Sequence, residues 1–292
     1  MIKNLGFGAL GVAALGASVA EGQIAITSAE TTSPYPKLNI SNKDLAIIDF
    51  ALNLEYLEAN FYSYATTGVG IDQQGVEITG RGTQGTVTVP STTMVPFTGP
   101  TDPVAQYASE IAVDEIEHVK FLRGICLAAG KTPIAQPAID LENSFNAAAA
   151  AAGLGSLNPF ASDLDFLLGA FIFEDVGVTA YHGALASIQN KNTQLAAAGI
   201  MGTEAYHAAN IRTQIYEAGA TAQADVLAIA NAIDTLGGAG IAQGVIVSGM
   251  ANLAPTDANA LVYARTTQQV LNIVYLSANG APGGFFPNGI NA

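Results

Sequence analysis

Two of the three histidines in this chain stand three residues after a glutamate, in Glu115-Ile116-Glu117-His118 and Glu204-Ala205-Tyr206-His207. On a helix, an i, i+3 spacing puts glutamate and histidine on one face. Each string is followed, five residues beyond its histidine, by an arginine, Arg123 or Arg212. The segment before each string carries its own pair, Glu55 with Tyr62 and Glu174 with Tyr181. Seven residues make two helical turns, so each of these pairs also shares a face. The chain therefore reads as two copies of one helix-pair plan, Glu…Tyr followed by Glu-x-x-His…Arg. Four facing helices are the simplest arrangement that uses all of it.

The surroundings of the glutamates decide what they are for. Glu55 sits among Leu52, Leu54, Leu57 and Phe61, and Glu174 follows the run Phe166 to Phe173. A carboxylate in such company is costly unless something neutralises it. Four glutamates and two neutral imidazoles balance two divalent ions, and an oxygen-rich set with some imidazole suits iron or manganese better than zinc. One glutamate from each of two helices plus Glu-x-x-His from the other two is the pattern of di-iron and di-manganese carboxylate sites in helix bundles. The expected metal set is Glu55, Glu115, His118, Glu174, Glu204 and His207, around two Fe or Mn ions. Glu58 is the alternative to Glu55, since the two are three residues apart. Glu55 is preferred because it matches Glu174 in its spacing to a tyrosine. Glu174 is expected to bridge or cap the metal pair. Tyr62 and Tyr181 are the candidate catalytic residues, as hydrogen-bond donors to a ligand carboxylate or as one-electron donors; a packed core tyrosine is the plainer alternative. Asp114 is a candidate partner for the outer nitrogen of His207, or else a solvated acid. Arg123 and Arg212 are expected to pair with buried acids across the bundle. His182, Glu117 and Asp175 are expected to lie off the ligand face.

Helical periodicity is expected over Asp44 to Ala65, Pro103 to Ala129, Ser162 to Gln189 and Asn192 to Gly219. A shorter helix is expected over Asp225 to Leu236, and a last long one over Thr256 to Leu276. Between the first two lies a Gly/Thr/Pro-rich insertion, 66–102, with a β-like piece at Thr86 to Val89. A crossover, 131–160, joins the two helix pairs, and its Ala147 to Ala152 patch suits a short helix. The Gly/Pro/Phe-rich tail, Gly280 to Ala292, is expected on the surface. The domain plan is thus a signal segment at 1–20, an extended leader at 21–40, the bundle at 41–220 and a C-terminal helical extension at 221–292.

Residues 1–20 carry Lys3, an uncharged run from Leu5 to Ala17 and a small-x-small pattern before Glu21, which reads as a secretory signal. The run is too short to span a bilayer comfortably. The mature chain is expected to be secreted, periplasmic or extracellular, and free of the membrane. With 24 acidic against 10 basic residues the net charge is −14, which opposes a nucleic-acid backbone. The single cysteine, Cys126, cannot form an internal disulfide and is expected to be buried.

The stretches Leu52 to Tyr62, Asp114 to Val119, Phe173 to Tyr181, Glu204 to Arg212 and, more loosely, Gly283 to Gly289 resemble the secreted ferritin-like proteins of the desiccation-related and fungal stress-induced kind. The resemblance implies an all-α fold: a ferritin-like four-helix bundle with a long crossover, loop insertions and an extra C-terminal helical segment. It implies less about activity. One expectation is a redox metalloprotein that oxidises Fe(II) or removes peroxide under stress, as manganese catalases share the bundle and ligand pattern. The alternative is a secreted structural or protective protein whose site only staples the bundle or stays empty. Expected partners are metal ions, dioxygen or peroxide and a further copy of the chain.

Overall fold

The computed structural model describes residues 38–99 and 101–292. The expected signal segment and most of the leader lie outside them. Four long helices carry the site: α1 (Asn42–Thr67), α2 (Pro103–Ala128), α4 (Asp163–Leu185) and α5 (Lys191–Glu217). Between and after them come α3 (Asn143–Ala151), α6 (Ala220–Gly237) and α7 (Thr267–Val274). Helix α1 packs along α2 and α4 along α5, while α1 on α4 and α2 on α5 close the bundle. None of the described helices is long and apolar enough to cross a membrane.

Local chemistry sets the helix ends. Ser41 caps α1 by accepting from the Asp44 amide, and Gly68, at φ +77°, ends it in the left-handed region that favours glycine. Asp102 caps α2 ahead of Pro103, a residue suited to the first helical position. Asp44 is no solvated first-turn acid: fully buried, it accepts the amides of Gln189 and Asn190 at 2.7 and 2.8 Å. Those amides are thereby withdrawn from α4, which ends at Leu185 rather than at the expected Gln189. Helix α6 starts at Ala220, five residues earlier than expected.

The central helices are α1 and α4. Leu52 to Ser63 is buried on every side, and so is Phe166 to Tyr181 apart from the intermediate Asp175. Helices α2 and α5 keep an outer face in solvent, where Val113 and Tyr206 are exposed. Phe61 anchors an aromatic cluster with Phe145, Phe160, Phe166 and Phe173, at centroid distances of 5.2 to 5.8 Å. Cys126 is buried, as expected.

The 66–102 insertion is tied to the crossover. Strand β1 (Val87–Thr88) pairs in parallel with β2 (Ile139–Asp140). Gly85 makes the approach feasible, because a Cβ there would collide with the Ala138 backbone. Strands β3 (Ile246–Val247) and β4 (Met250–Ala251) form an exposed hairpin.

One expectation about the C-terminal part fails, and another is refined. The segment 256–276 is not one helix: only Thr267–Val274 is helical. Asp257 accepts the amides of Asn259 and Leu261, turning the chain, and Thr266 starts α7 with a reciprocal cap to Gln269. The tail, expected against the surface, runs along it but sends two side chains inward. Phe285 and Phe286 are fully buried, with Phe285 5.0 Å from both Phe145 and Phe173. Asn291 exchanges two hydrogen bonds with Asn53 of α1. Glycine and proline suggest a loop, but the phenylalanine rings are still driven to burial, each adding about 1.5–3 kcal/mol.

Candidate metal centre

Glu55, Glu115, Glu174 and Glu204 are all fully buried, one from each long helix, and they meet in the middle of the bundle. His118 Nδ1 lies 3.3 Å from Glu55, 3.4 Å from Glu115 and 3.7 Å from Glu204. His207 Nδ1 lies 3.3 Å from both Glu115 and Glu174. Two overlapping groups result, Glu55–Glu115–His118–Glu204 and Glu115–Glu174–His207, each with its candidate donor atoms within 4.8 Å of one another. Glu115 is the shared member, turning one oxygen to each histidine. Of the bridging or capping roles expected of Glu174, membership of one group alone corresponds to capping.

The donor atoms are unpaired. Both oxygens of Glu115 and of Glu204, the Oε2 atoms of Glu55 and Glu174, and Nδ1 of both histidines are buried without a hydrogen-bond partner. Buried polar atoms are normally satisfied, so a cluster of orphans of one chemical kind calls for a cation. Carboxylate oxygens with two imidazoles suit iron or manganese.

The remaining valences are taken. Tyr62 on α1 donates to Glu174 Oε1 on α4 at 2.5 Å, and Tyr181 on α4 donates to Glu55 Oε1 on α1. Each tyrosine thus secures the glutamate of the other helix and leaves that glutamate's second oxygen facing inward. His207 Nε2 is 3.1 Å from Asp114 Oδ2, which orients the ring so that Nδ1 turns to the cluster. Among the described residues His118 has no such acid behind it.

Electrostatics show what the metal-free cluster does instead. Burial, set against the neighbouring His118, raises Glu55 to about 7. Burial, reinforced by the surrounding carboxylates, pushes Glu58 and Glu204 well above the usual range. Burial also works against charge on Glu115, but the facing His118 and His207 outweigh it and hold Glu115 below its usual value. For His118 and His207 burial disfavours the cation, yet the facing glutamates prevail and raise both to about 11. A metal ion bound here would have to displace the protons that these shifts favour.

Glu55, not Glu58, joins the His118 group. Glu58 is nonetheless buried, one turn along α1, with its carboxyl beside Gly177 of α4. Sequence reasoning missed Gly177. A Cβ there would run into the Glu204 carboxylate, so the bare backbone makes the room in which Glu204 sits. The only signal was a glycine within an apolar helical run, which indicates close approach without saying to what. Arg212 pairs with Asp175 at 2.6 Å, the expected acid partner. Arg123 does not: its guanidinium donates to the Tyr56 hydroxyl and the Thr79 and Ile134 carbonyls. Its short link to Tyr56 and to the insertion takes the place of a carboxylate. His182 faces away, with Nδ1 3.0 Å from the Tyr263 carbonyl.

Comparison with known proteins agrees with this geometry. The ferritin-like domain family matches residues 43–217. The chain is 29% identical to the desiccation-related protein PCC13-62 of Craterostigma plantagineum over 188 residues, covering 63% of this chain and 56% of that protein. The match thus spans little more than half the length of that relative. The chain is 26% identical to the ferritin-like catalase Nec2 of Nesocodon mauritianus over 281 residues, covering 86% of this chain and 85% of that one. With its four glutamates and two histidines gathered between two helix pairs, the chain belongs to the ferritin-like domain family.

Proposed function

We propose that the protein is secreted, that it holds two iron or manganese ions between its helix pairs, and that it removes peroxide. The observation that carries the metal half is the convergence of unpaired donor atoms from Glu55, Glu115, His118, Glu174, Glu204 and His207. Four carboxylates and two neutral rings would balance two divalent ions. The peroxide half is supported by the catalase relative, which aligns over most of this chain. When bound, two redox-active ions supply the electron steps that peroxide or dioxygen chemistry requires.

The protein's own part is to position and to exclude water. Asp114, 3.1 Å from His207 Nε2, would hold that ring with Nδ1 turned towards the ions. Tyr62 and Tyr181 act as positioning residues, each holding one oxygen of Glu174 or Glu55 away from the metals. Full burial of the four glutamates keeps the cluster dry, which strengthens every charge interaction within it. That same burial favours a second reading, in which the ions only staple the bundle of a protective secreted protein. Elemental analysis of protein from its native compartment, followed by oxygen release from hydrogen peroxide, separates the two. Two ions with peroxide turnover are expected; two ions without turnover would leave the stapling role, and a folded protein with no bound metal would refute both.

A further inference from the structure

On the far side of α4 and α5 lies a second concavity, of about 580 Å³ including its mouth, closed by α6 and the loop that leads into α7. Its walls are mainly apolar, with Val178, Ile233, Ile241, Leu253 and Val262 among them. Arg265 lines it too, although its side chain is almost completely buried, at 4% exposure. Its Nη1 donates to Thr179 Oγ1 at 2.6 Å, but its Nε meets no acceptor. Among the described residues no carboxylate lies at ion-pair distance from it. Asp175, in the same wall, is engaged by Arg212, and Asp234 accepts the amides of Ile241 and Ala242. Asp175 and Asp234 support the guanidinium charge at longer range, but its Nε is left without an acceptor, and a buried donor without one is costly.

Arg265 also clamps its loop to α4, through its own amide to the Thr179 carbonyl at 2.9 Å. That role accounts for Nη1 and the backbone. It leaves the free Nε without a purpose.

We propose that this cleft binds a small organic anion, a carboxylate carried on a hydrocarbon body. The carboxylate would take the open edge of Arg265 in a charge-assisted hydrogen bond, and the body would fill the apolar walls. Arg265 is the one cationic side chain in the lining, beside the Asp175 that Arg212 engages. Ala205 and Ala208 line the cleft from α5, flanking the turn that carries Glu204 and His207. The ligand would therefore sit behind the metal centre without touching it.

Calorimetric titration of the full chain with octanoate, octanol and acetate tests this, in metal-free and metal-loaded protein alike, so that failure of the metal assignment leaves the result readable. Octanoate should bind at least about tenfold tighter than octanol, the gain from one charge-assisted hydrogen bond. Acetate should bind weakest, for want of a body. R265Q should erase the preference for octanoate over octanol. A254W, at the exposed mouth, should block both while leaving the Arg265 clamp intact, and it decides the matter if R265Q does not fold. Equal affinity for octanoate and octanol, no octanoate binding by the folded wild type, or undiminished binding by A254W would each overturn the proposal.

Discussion

The Tyr62 hydroxyl, on α1, donates to Glu174 on α4, and not to Glu55, which shares its own helix. Tyr181 repeats the relationship in the other direction by donating to Glu55. The two central helices are thus cross-linked at the site by a reciprocal pair, and each tyrosine controls the glutamate that the opposite half contributes.

Exchange of these tyrosines should therefore act across the pseudo-symmetry. Y62F should loosen the Glu174–His207 group, and Y181F the Glu55–His118 group. Each should lower metal affinity by about 10–100-fold, as is typical when a residue supporting a ligand is lost, with the fold retained. Titration with Mn(II), followed stepwise, measures which of two sites weakens. Loss of the same site in both variants would contradict the crossed pairing.

His118→Ala and His207→Ala should each lose at least as much affinity as those variants, because each removes a donor atom. D114N should weaken binding less, and through His207 alone, since Asp114 lies 3.1 Å from that ring and His118 lacks an equivalent among the described residues. Metal content after dialysis ranks the three. A D114N protein as depleted as His118→Ala would show that Asp114 does more than orient its partner.

The metal-free protein should lose stability as pH rises from about 4.5. Glu55 is raised from 4.5 to about 7, so the folded state holds a proton that the unfolded chain releases, and stability falls across that interval. Glu58 and Glu204 act in the same sense. His118 and His207, raised from 6.5 to about 11, give stability that is complete below 6.5 and drains away towards 11. Glu115 works oppositely: its lowered value makes its contribution present above 4.5 and lost on acidification. Thermal melting of metal-free and loaded protein should show a growing gap from about pH 4.5 to pH 7. Parallel curves would mean that the cluster does not hold ions.

Gly177→Ala should disturb the site more than the fold. The added methyl meets the Glu204 carboxylate, and overpacking in a tight core costs about 1–3 kcal/mol. Glu204 would have to turn aside, so bound metal should drop while helical circular dichroism is kept. Full metal content in this variant would show that Glu204 has other room.

Phe285→Ala should destabilise the protein by about 3–5 kcal/mol, since the ring is fully buried between Phe145 and Phe173. Chemical denaturation measures it. A change below 1 kcal/mol, about the scale of a surface substitution, would return the tail to the periphery.

What the sequence determined by itself is whatever a single helix decides. Glu115 and His118 share a face because they are three residues apart, whatever surrounds them, and the same holds for Glu204 with His207. The four long helices were legible for that reason. Tertiary structure decided everything that joins residues far apart in the chain. Only packing shows that Glu115, not Glu174, is common to both halves, and that Tyr62 reaches Glu174. Packing also draws Phe285 into the core although glycines surround it, and it brings Arg265 against Thr179 from a segment whose periodicity suggested helix. Local spacing carries the first kind of information in φ, ψ and 3.6 residues per turn. The second kind depends on which surfaces the whole chain can bury together, and no short stretch contains it.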